Sequence, residues 1–376
     1  MKRCINVRQL LSLPSAEVQC ICCSCQMETP MSAPEEKTNL VAQIEAFGLE
    51  HFRMVERPLV PLHAHEIRIH VHAASLNYRD LLIALGQVPS RVRDIRLPLV
   101  PLSDCSGEVI EVGSAVDRFQ IGDRVASAQM PDWTAGRFKP ENGHSALGGA
   151  VDGVLARYFK GNQRGFVKIP DTLSFEEAAT LPTAALTAWN ALFEFGDLKP
   201  GETVLVQGSG GVSTFALQFA LAAGARVFAI TGNQAKIDRL ERLGAEHVIR
   251  YEREPEWSRV VHEVTGGAGV DHVVETGGAG TIDESIKATA MGGSISLVGL
   301  LTGAGGRLDM LPILSKTLRI QGVIVGSVEM FERMICMIEH LRIRPVIDEA
   351  FEMRDVAAAL DYLKTGRHVG KVIIKV

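Results

Sequence analysis

From Thr203 to Leu300 the chain switches repeatedly between two hydrophobic periods, and few folds accept that. Short β-branched runs at Thr203–Gln207, Arg226–Thr231, His247–Arg250, "VDHVVET" and "GSISLVGL" are separated by segments of helical spacing: one after Gly211, "NQAKIDRLERLG", one around Pro255–Val264 and one after Gly280. Strand and helix in turn, over this length, predict a doubly wound parallel sheet of the α/β class. The first joint reads "VLVQGSGGVS", so a strand meets its helix through Gly208, Gly210 and Gly211. The free N–H groups and dipole at such a helix start favour phosphate, and glycine lets the backbone approach where a Cβ would hold it away. Gly208, Ser209, Gly210, Gly211 and Val212 are therefore the candidate cradle of a dinucleotide pyrophosphate. Ser213 stands where a third spaced glycine is usual, and its hydroxyl is a further candidate phosphate contact.

About 20 residues beyond the cradle, sheets that bind NAD place an acid that accepts from the ribose 2′-hydroxyl. The stretch "VFAITGNQAKIDRL" has no acid before Asp238, so nothing there repels a 2′-phosphate. Thr231 and Gly232 close that strand, Lys236 follows on the next helix and Tyr251 follows the next strand. A cation and a hydroxyl in those places favour NADP(H), with NAD(H) the lesser alternative.

A chain of 376 residues fits two domains. From Leu40 to about Leu181 the pattern is β-rich. In "EIRIHVHAAS" the apolar Ile67, Ile69 and Val71 alternate with Arg68, His70 and His72, which predicts a half-buried strand with its histidines solvated rather than gathered on a metal. "CSGEVIEVGSAVDRFQIGDRVAS" adds two short strands of a compact barrel, and residues 130–154 read as a long, glycine-rich functional loop. "SFEEAATLPTAALTAWNALFEF" predicts one helix, with Ser174 as its cap and Glu176 and Glu177 in its first turn. The final "GKVIIKV" reads as a strand that completes the first domain.

A net charge of -5 supplies no basic field for nucleic acid. No apolar run approaches the roughly 20 residues of a membrane span, so a small-molecule substrate and a cytoplasmic location are expected. Five of the seven cysteines lie in the first 25 residues, which leaves no disulfide framework for the main body and suits a reducing compartment. The "CICCSC" cluster lacks a second spaced ligand pair for a metal. Residues 1–30 are expected to be a disordered leader, with a transit peptide as the alternative and Met31 as a candidate true start.

The motifs "SLNYRD", "PLVPLSDCSGEVIEVG", "GDRV", "LPTAALTAWNAL", "VLVQGSGGVS", "GVDHVVE" and "GRHVGKV", in this order, resemble the medium-chain dehydrogenase/reductase superfamily from about Leu40 to Val376. The resemblance implies a GroES-like β-rich catalytic domain from residues 31–183 and 326–376, a Rossmann domain over 184–325, a cofactor in the cleft, and a homodimer or homotetramer. The places of the family's catalytic zinc ligands hold Asn77, Ser103 and Thr183, whose amide and hydroxyl oxygens replace thiolate and imidazole poorly. The 130–154 loop carries none of the structural-zinc cysteines. Asp80 and Asp104 remain at family acid positions, but no zinc is expected, and the chain is most similar to the zinc-free quinone and enoyl reductases. It departs from the quinone reductase pattern where Leu82 replaces a tyrosine.

Without zinc, hydride transfer favours acceptors that stabilise their own developing charge, such as quinones and α,β-unsaturated carbonyls. Tyr78 is the candidate proton donor or carbonyl anchor, Asn77 the candidate orienting amide, and Asp80 either catalytic or paired with a nearby arginine. By resemblance Gly299 and Leu300 hold the nicotinamide, Lys371 lies near the cofactor cleft, and Trp189 packs at the domain junction. An alcohol dehydrogenase or carbonyl reductase, or an NADPH-binding protein without turnover, are the alternatives.

Overall fold

The computed structural model describes residues 37–88 and 95–376, so the expectations for the leader and its cysteines lie outside the described residues. The first part is β-rich: β1 (Thr38–Ile44), β2 (Phe52–Pro58), β3 (Glu66–Ser75), helix α1 (Tyr78–Ala84), β4 (Asp104–Val112), β5 (Arg124–Ser127), β6 (Tyr158–Asn162) and β7 (Phe166–Lys168). Two short helical segments, α2 (Phe175–Ala179) and α3 (Leu186–Trp189), lead into an alternating region. That region runs β8 (Thr203–Gln207), α4 (Gly211–Ala222), β9 (Arg226–Thr231), α5 (Gln234–Arg242), β10 (His247–Arg250), α6 (Trp257–Val264), β11 (Val270–Glu275), α7 (Ile282–Ala288), β12 (Thr289–Leu297), α8 (Met310–Ser315) and β13 (Arg319–Gly322). The chain then returns through α9 (Val328–Leu341), β14 (Ile347–Glu352), α10 (Val356–Lys364) and β15 (Lys371–Lys375).

Two sheets carry the architecture. Strands β8–β13 form a six-stranded parallel sheet in the order β10-β9-β8-β11-β12-β13, which is the predicted doubly wound arrangement with its order reversing at β8. The other large sheet is seven-stranded, β14-β15-β3-β4-β5-β7, with β6 also paired to β3, and β1 and β2 form a separate antiparallel pair. The last strand enters it as expected: β15 pairs antiparallel with β3, setting Ile373 opposite Ser75. One apolar cluster runs from Ala126, Trp133 and Val167 to Leu186, Phe215, Phe219 and Phe331, so it ties the β-rich part to the parallel sheet. Trp189 lies against it, its ring beside Phe193 and Phe219 and its Nε1–H donating to Glu194 at 2.8 Å.

Two sequence expectations change. Strand β3 is covered on both faces: Arg68 is buried and pairs with Glu111 at 2.7 Å, and the His72 ring stacks on Phe175 at 4.1 Å. The alternation is real but its polar face is half-buried rather than solvated, because Phe175 of α2 covers His72 while Glu111 and the Val60 carbonyl engage Arg68. The segment after Ser174 is also not one regular helix. Pro182 has no N–H to give, and residues 181–185 and 190–195 adopt wider π turns on either side of α3. The Thr183 N–H thereby donates to Asp104 Oδ2 at 3.1 Å instead of to the helix ladder.

Beside β13, the outer strand of the parallel sheet, Met310, Leu311 and Leu314 of α8 are more than half exposed. Among the described residues no helix is long and apolar enough to cross a membrane.

Candidate active site

The three glycines of the β8–α4 joint serve three different purposes. Gly208 has φ +74°, a left-handed conformation that costs other residues about 1 kcal/mol. Gly211 is crowded: a Cβ there would stand 2.6 Å from Lys371 Cδ and 3.0 Å from the Ala184 methyl. Gly210 is neither. Its φ of -72° and ψ of -179° suit any residue, and the nearest atom to a Cβ would be His368 Nε2 at 3.8 Å. The protein leaves this space at the start of the 12-residue helix α4 although its own packing does not require it. A pyrophosphate approaching the free N–H groups of the helix would need that space.

Ser213 takes no part in the cradle. It is buried and its Oγ donates to the Gln207 carbonyl at 2.5 Å, which corrects the expectation of a phosphate contact. Val212 packs sideways onto the apolar cluster. The opposite wall comes from the far end of the chain: Gly370 N–H donates to the Ser209 carbonyl at 2.8 Å, and Ser209 Oγ donates to the His368 carbonyl at 3.3 Å.

At the ends of β9 and β10, Tyr251 crosses Gly232 so closely that a Cβ on Gly232 would stand 2.4 Å from its hydroxyl. Thr231 is buried beneath them, and the Tyr251 N–H donates to its carbonyl at 3.2 Å. Lys236 Nζ donates to the Gly366 carbonyl at 2.6 Å, and burial holds its pKa below the ordinary lysine value. Thr231, Gly232 and Tyr251 thus share one shelf, and Lys236, on the helix that follows, reaches toward Gly366. Gly299 follows β12 and lies against the Thr276 backbone, where a Cβ would meet the Thr276 carbonyl at 2.5 Å, while Leu300 is exposed.

The third group is a buried polar cluster where β15 meets α1 and β4. Lys371, 3% exposed, donates through Nζ to the Leu76 carbonyl at 2.5 Å and to Asn77 Oδ1 at 2.6 Å, with Asp104 Oδ2 at 3.9 Å. Burial lowers its pKa, opposed by Asp104 and Asp80. Asp104 also accepts from Ser103 Oγ at 2.7 Å and Thr183 Oγ1 at 2.6 Å. Asp80 is fully buried, accepts the Asn77 N–H at 2.8 Å and pairs with Arg79 at 3.2 Å. Burial pushes Asp80 up to about 6, although Arg79 pulls the other way. Its place is behind Asn77, in the arginine-paired arrangement. Tyr78 is 45% exposed at the start of α1. Asn77 Nδ2 is buried with no hydrogen-bond partner, and since the lysine ammonium must face the amide oxygen, this spare donor is fixed in direction.

Sequence reasoning missed two features. Glu275, at the end of β11, accepts from Gln207 Nε2 at 2.6 Å, Thr281 Oγ1 at 2.6 Å, Gly277 N at 2.8 Å and Gly278 N at 2.9 Å, while its carbonyl accepts the Val298 N–H at 2.9 Å. It shapes the turn beside Gly299, and the acid followed by "TGG" at a strand end was the available signal. The other is His368, whose neighbours come from sequence positions too distant for any local pattern to show.

The cradle fits the pyrophosphate of a nicotinamide dinucleotide, through the space at Gly210 and the start of α4. The buried polar cluster does not fit a zinc ion: Asn77, Ser103 and Thr183 offer an amide and two hydroxyls, and an ammonium already bonds the amide oxygen. Among the described residues no three His, Cys, Asp or Glu side chains converge as a metal site.

Comparison with known proteins agrees with both halves of the fold. Residues 63–171 match the alcohol dehydrogenase GroES-like domain family and residues 211–340 the zinc-binding dehydrogenase family. A zinc-type alcohol dehydrogenase-like protein of Schizosaccharomyces pombe is 41% identical over 83% of this chain and 91% of its own. The structure of an NAD-dependent alcohol dehydrogenase superposes with a TM-score of 0.82 at 31% identity, covering 90% of this chain and 99% of that one. A 2-octenoyl-CoA carboxylase reductase, solved with NADP and 2-octenoyl-CoA, superposes with a TM-score of 0.81 at 25% identity over 91% of this chain and 88% of that one.

Proposed function

The chain belongs to the medium-chain dehydrogenase/reductase superfamily, and on that premise we propose that it is an NADPH-dependent oxidoreductase that reduces a quinone or an α,β-unsaturated carbonyl without catalytic zinc. The observation that carries the reading is the Lys371–Asn77 pair: where a zinc enzyme gathers metal ligands, this chain holds an internal cation bonded to an amide. The bound dinucleotide supplies the hydride. Asn77 Nδ2, its direction fixed by Lys371, offers a hydrogen bond to a carbonyl oxygen as negative charge grows on it. Tyr78 stands beside it, exposed, as the candidate proton donor. Asp80 accepts the Asn77 N–H from behind and pairs with Arg79, which gives it a positioning role. The reductase solved with NADP and an enoyl thioester supports this class of acceptor.

The test is turnover with NADPH across quinones, enones, enoyl thioesters and simple aldehydes. Reduction of the conjugated acceptors, with no dependence on added zinc and no stoichiometric zinc in the pure protein, is expected. Turnover confined to alcohols and aldehydes with bound zinc would overturn the proposal. NADPH is expected to be preferred over NADH. Because Lys236 has donors to spare beyond Gly366, Lys236→Ala should raise KM for NADPH about tenfold, the weight of one charge-assisted hydrogen bond, and leave KM for NADH unchanged.

We also propose a homodimer through the outer edge of the parallel sheet. Strand β13 has an open edge, and the exposed Met310, Leu311 and Leu314 beside it form an apolar patch that a second copy of the same chain would cover. Leu311→Asp with Leu314→Asp is expected to yield monomers in light scattering; an unchanged mass would remove this face from the assembly.

A further inference from the structure

His368 is fixed at the mouth of the cradle from both sides. Its carbonyl accepts from Ser209 Oγ at 3.3 Å, and the next two N–H groups are held by Asp348 Oδ1 at 3.2 Å and by the Ser209 carbonyl at 2.8 Å. The backbone that carries the ring cannot move away without breaking the wall it forms. Nε2 faces the open space above Gly210, 3.8 Å from where a Cβ would be, and Nδ1 is buried with no partner.

Charges reach the ring from three elements. Lys236 approaches from α5 and Lys371 from β15, while Asp348 approaches from β14. Asp348 pulls the other way, and its oxygens are also engaged by Arg239 at 2.6 Å, by the Tyr362 hydroxyl at 2.6 Å and by the Val369 N–H. Burial first, and the two lysines after it, hold the free imidazole down at about 4, so at neutral pH the ring is uncharged. A diphosphate placed over Gly210 reverses the sign of that field, since an anion close to a histidine favours its charged form.

We propose that His368 is a proton-coupled phosphate ligand: neutral in the free protein, it takes up a proton as the dinucleotide binds and donates from Nε2 to the phosphates. The inference rests on the dinucleotide reading above and adds a ligand and a pH response to that site. The proton comes from solvent, the imidazole becomes imidazolium, and no other bond changes. The sign follows from linkage: the complex binds more protons than the free protein, so affinity falls as pH rises through the interval between the two states' pKa values, by up to about tenfold per unit.

The experiment is calorimetric titration of the full chain with NADP+ at about pH 6, in buffers of different ionisation enthalpy, for wild type and His368→Gln. Titration of the nucleotide's own phosphate is common to both proteins and cancels in the difference. Wild type is expected to take up about one proton more per NADP+ than His368→Gln, with the variant's affinity about tenfold lower and its pH dependence reduced to that of the nucleotide's own phosphate. Equal proton counts with binding retained would overturn the inference and leave the dinucleotide site standing. No binding by either protein would overturn both. Should the glutamine variant not fold, His368→Asn replaces it. If neither folds, wild-type affinity for NAD+, whose phosphates do not titrate here, decides: a flat profile from about pH 5.5 to 7.5 overturns the proposal.

Discussion

Valine in place of Gly210 is expected to weaken NADP(H) binding at least about a hundredfold while leaving the protein folded, with its thermal midpoint shifted by no more than about 3 °C. The asymmetry follows from the geometry. Gly210 has dihedrals open to any residue, and a Cβ on it meets no protein atom nearer than 3.8 Å, so the fold has no need of glycine there. Only an incoming ligand does. Two or more charge-assisted hydrogen bonds to the start of α4, each worth about 1.5–3 kcal/mol, would be lost if the isopropyl group held the pyrophosphate away. The neighbouring glycines give the control. Gly208→Ala strains a left-handed residue and Gly211→Ala strikes Lys371 and Ala184, so both should lose stability as well as binding. Titration calorimetry and thermal melts on the three variants separate the cases. Undiminished binding by Gly210→Val would remove the cradle from the cofactor site.

The second large effect is on stability. Lys371→Met is expected to cost about 3 kcal/mol, near the lower end of what is lost when one partner of a buried ion pair is removed. The variant leaves Asp104 buried without its cation and deprives the Leu76 carbonyl and Asn77 Oδ1 of a donor. The figure sits at the lower end because Asp104 keeps three donors, from Ser103 Oγ, Thr183 Oγ1 and Thr183 N. Urea unfolding measures it as a shift of midpoint at constant slope. The double variant Lys371→Met with Asp104→Asn should recover part of the loss, because the uncompensated charge is gone; strict additivity would mean the two groups do not interact. The same substitution frees Asn77, so kcat should fall further than the remaining folded fraction explains.

The parallel sheet was readable because its signals are local. Each strand from β8 to β12 is a short β-branched run, those from β8 to β11 are followed by helical spacing, and Gly208 to Gly211 mark where the first pair joins. Glu176, Glu177 and Ser174 likewise announced a helix start, and the Ser174–Glu177 capping pair is present. What the sequence could not carry was pairing at a distance. Nothing near Lys371 reveals that its ammonium lies beside Leu76 and Asn77, 295 and 294 positions earlier, so burial and exposure looked equally plausible from the motif alone. His72 was placed on the right face of its strand, yet its environment depended on Phe175, which comes from the helix packed above. Ser213 could be read as a phosphate ligand only while the direction of its hydroxyl was unknown; in the fold it serves the carbonyl of Gln207.

The two walls of the cradle also differ in when they are made. Ser209 is synthesised 159 residues before the His368 carbonyl that its hydroxyl bonds, and strands β8–β13 are all complete before that second wall leaves the ribosome. A nascent chain that has reached Gly322 already has every strand of its parallel sheet and can begin to fold it as a unit, but it has only half a binding site. The dinucleotide therefore cannot serve as a template for the early part of folding. It can reward only chains whose last strand has crossed back to β3, which makes cofactor capture a late check on completed molecules.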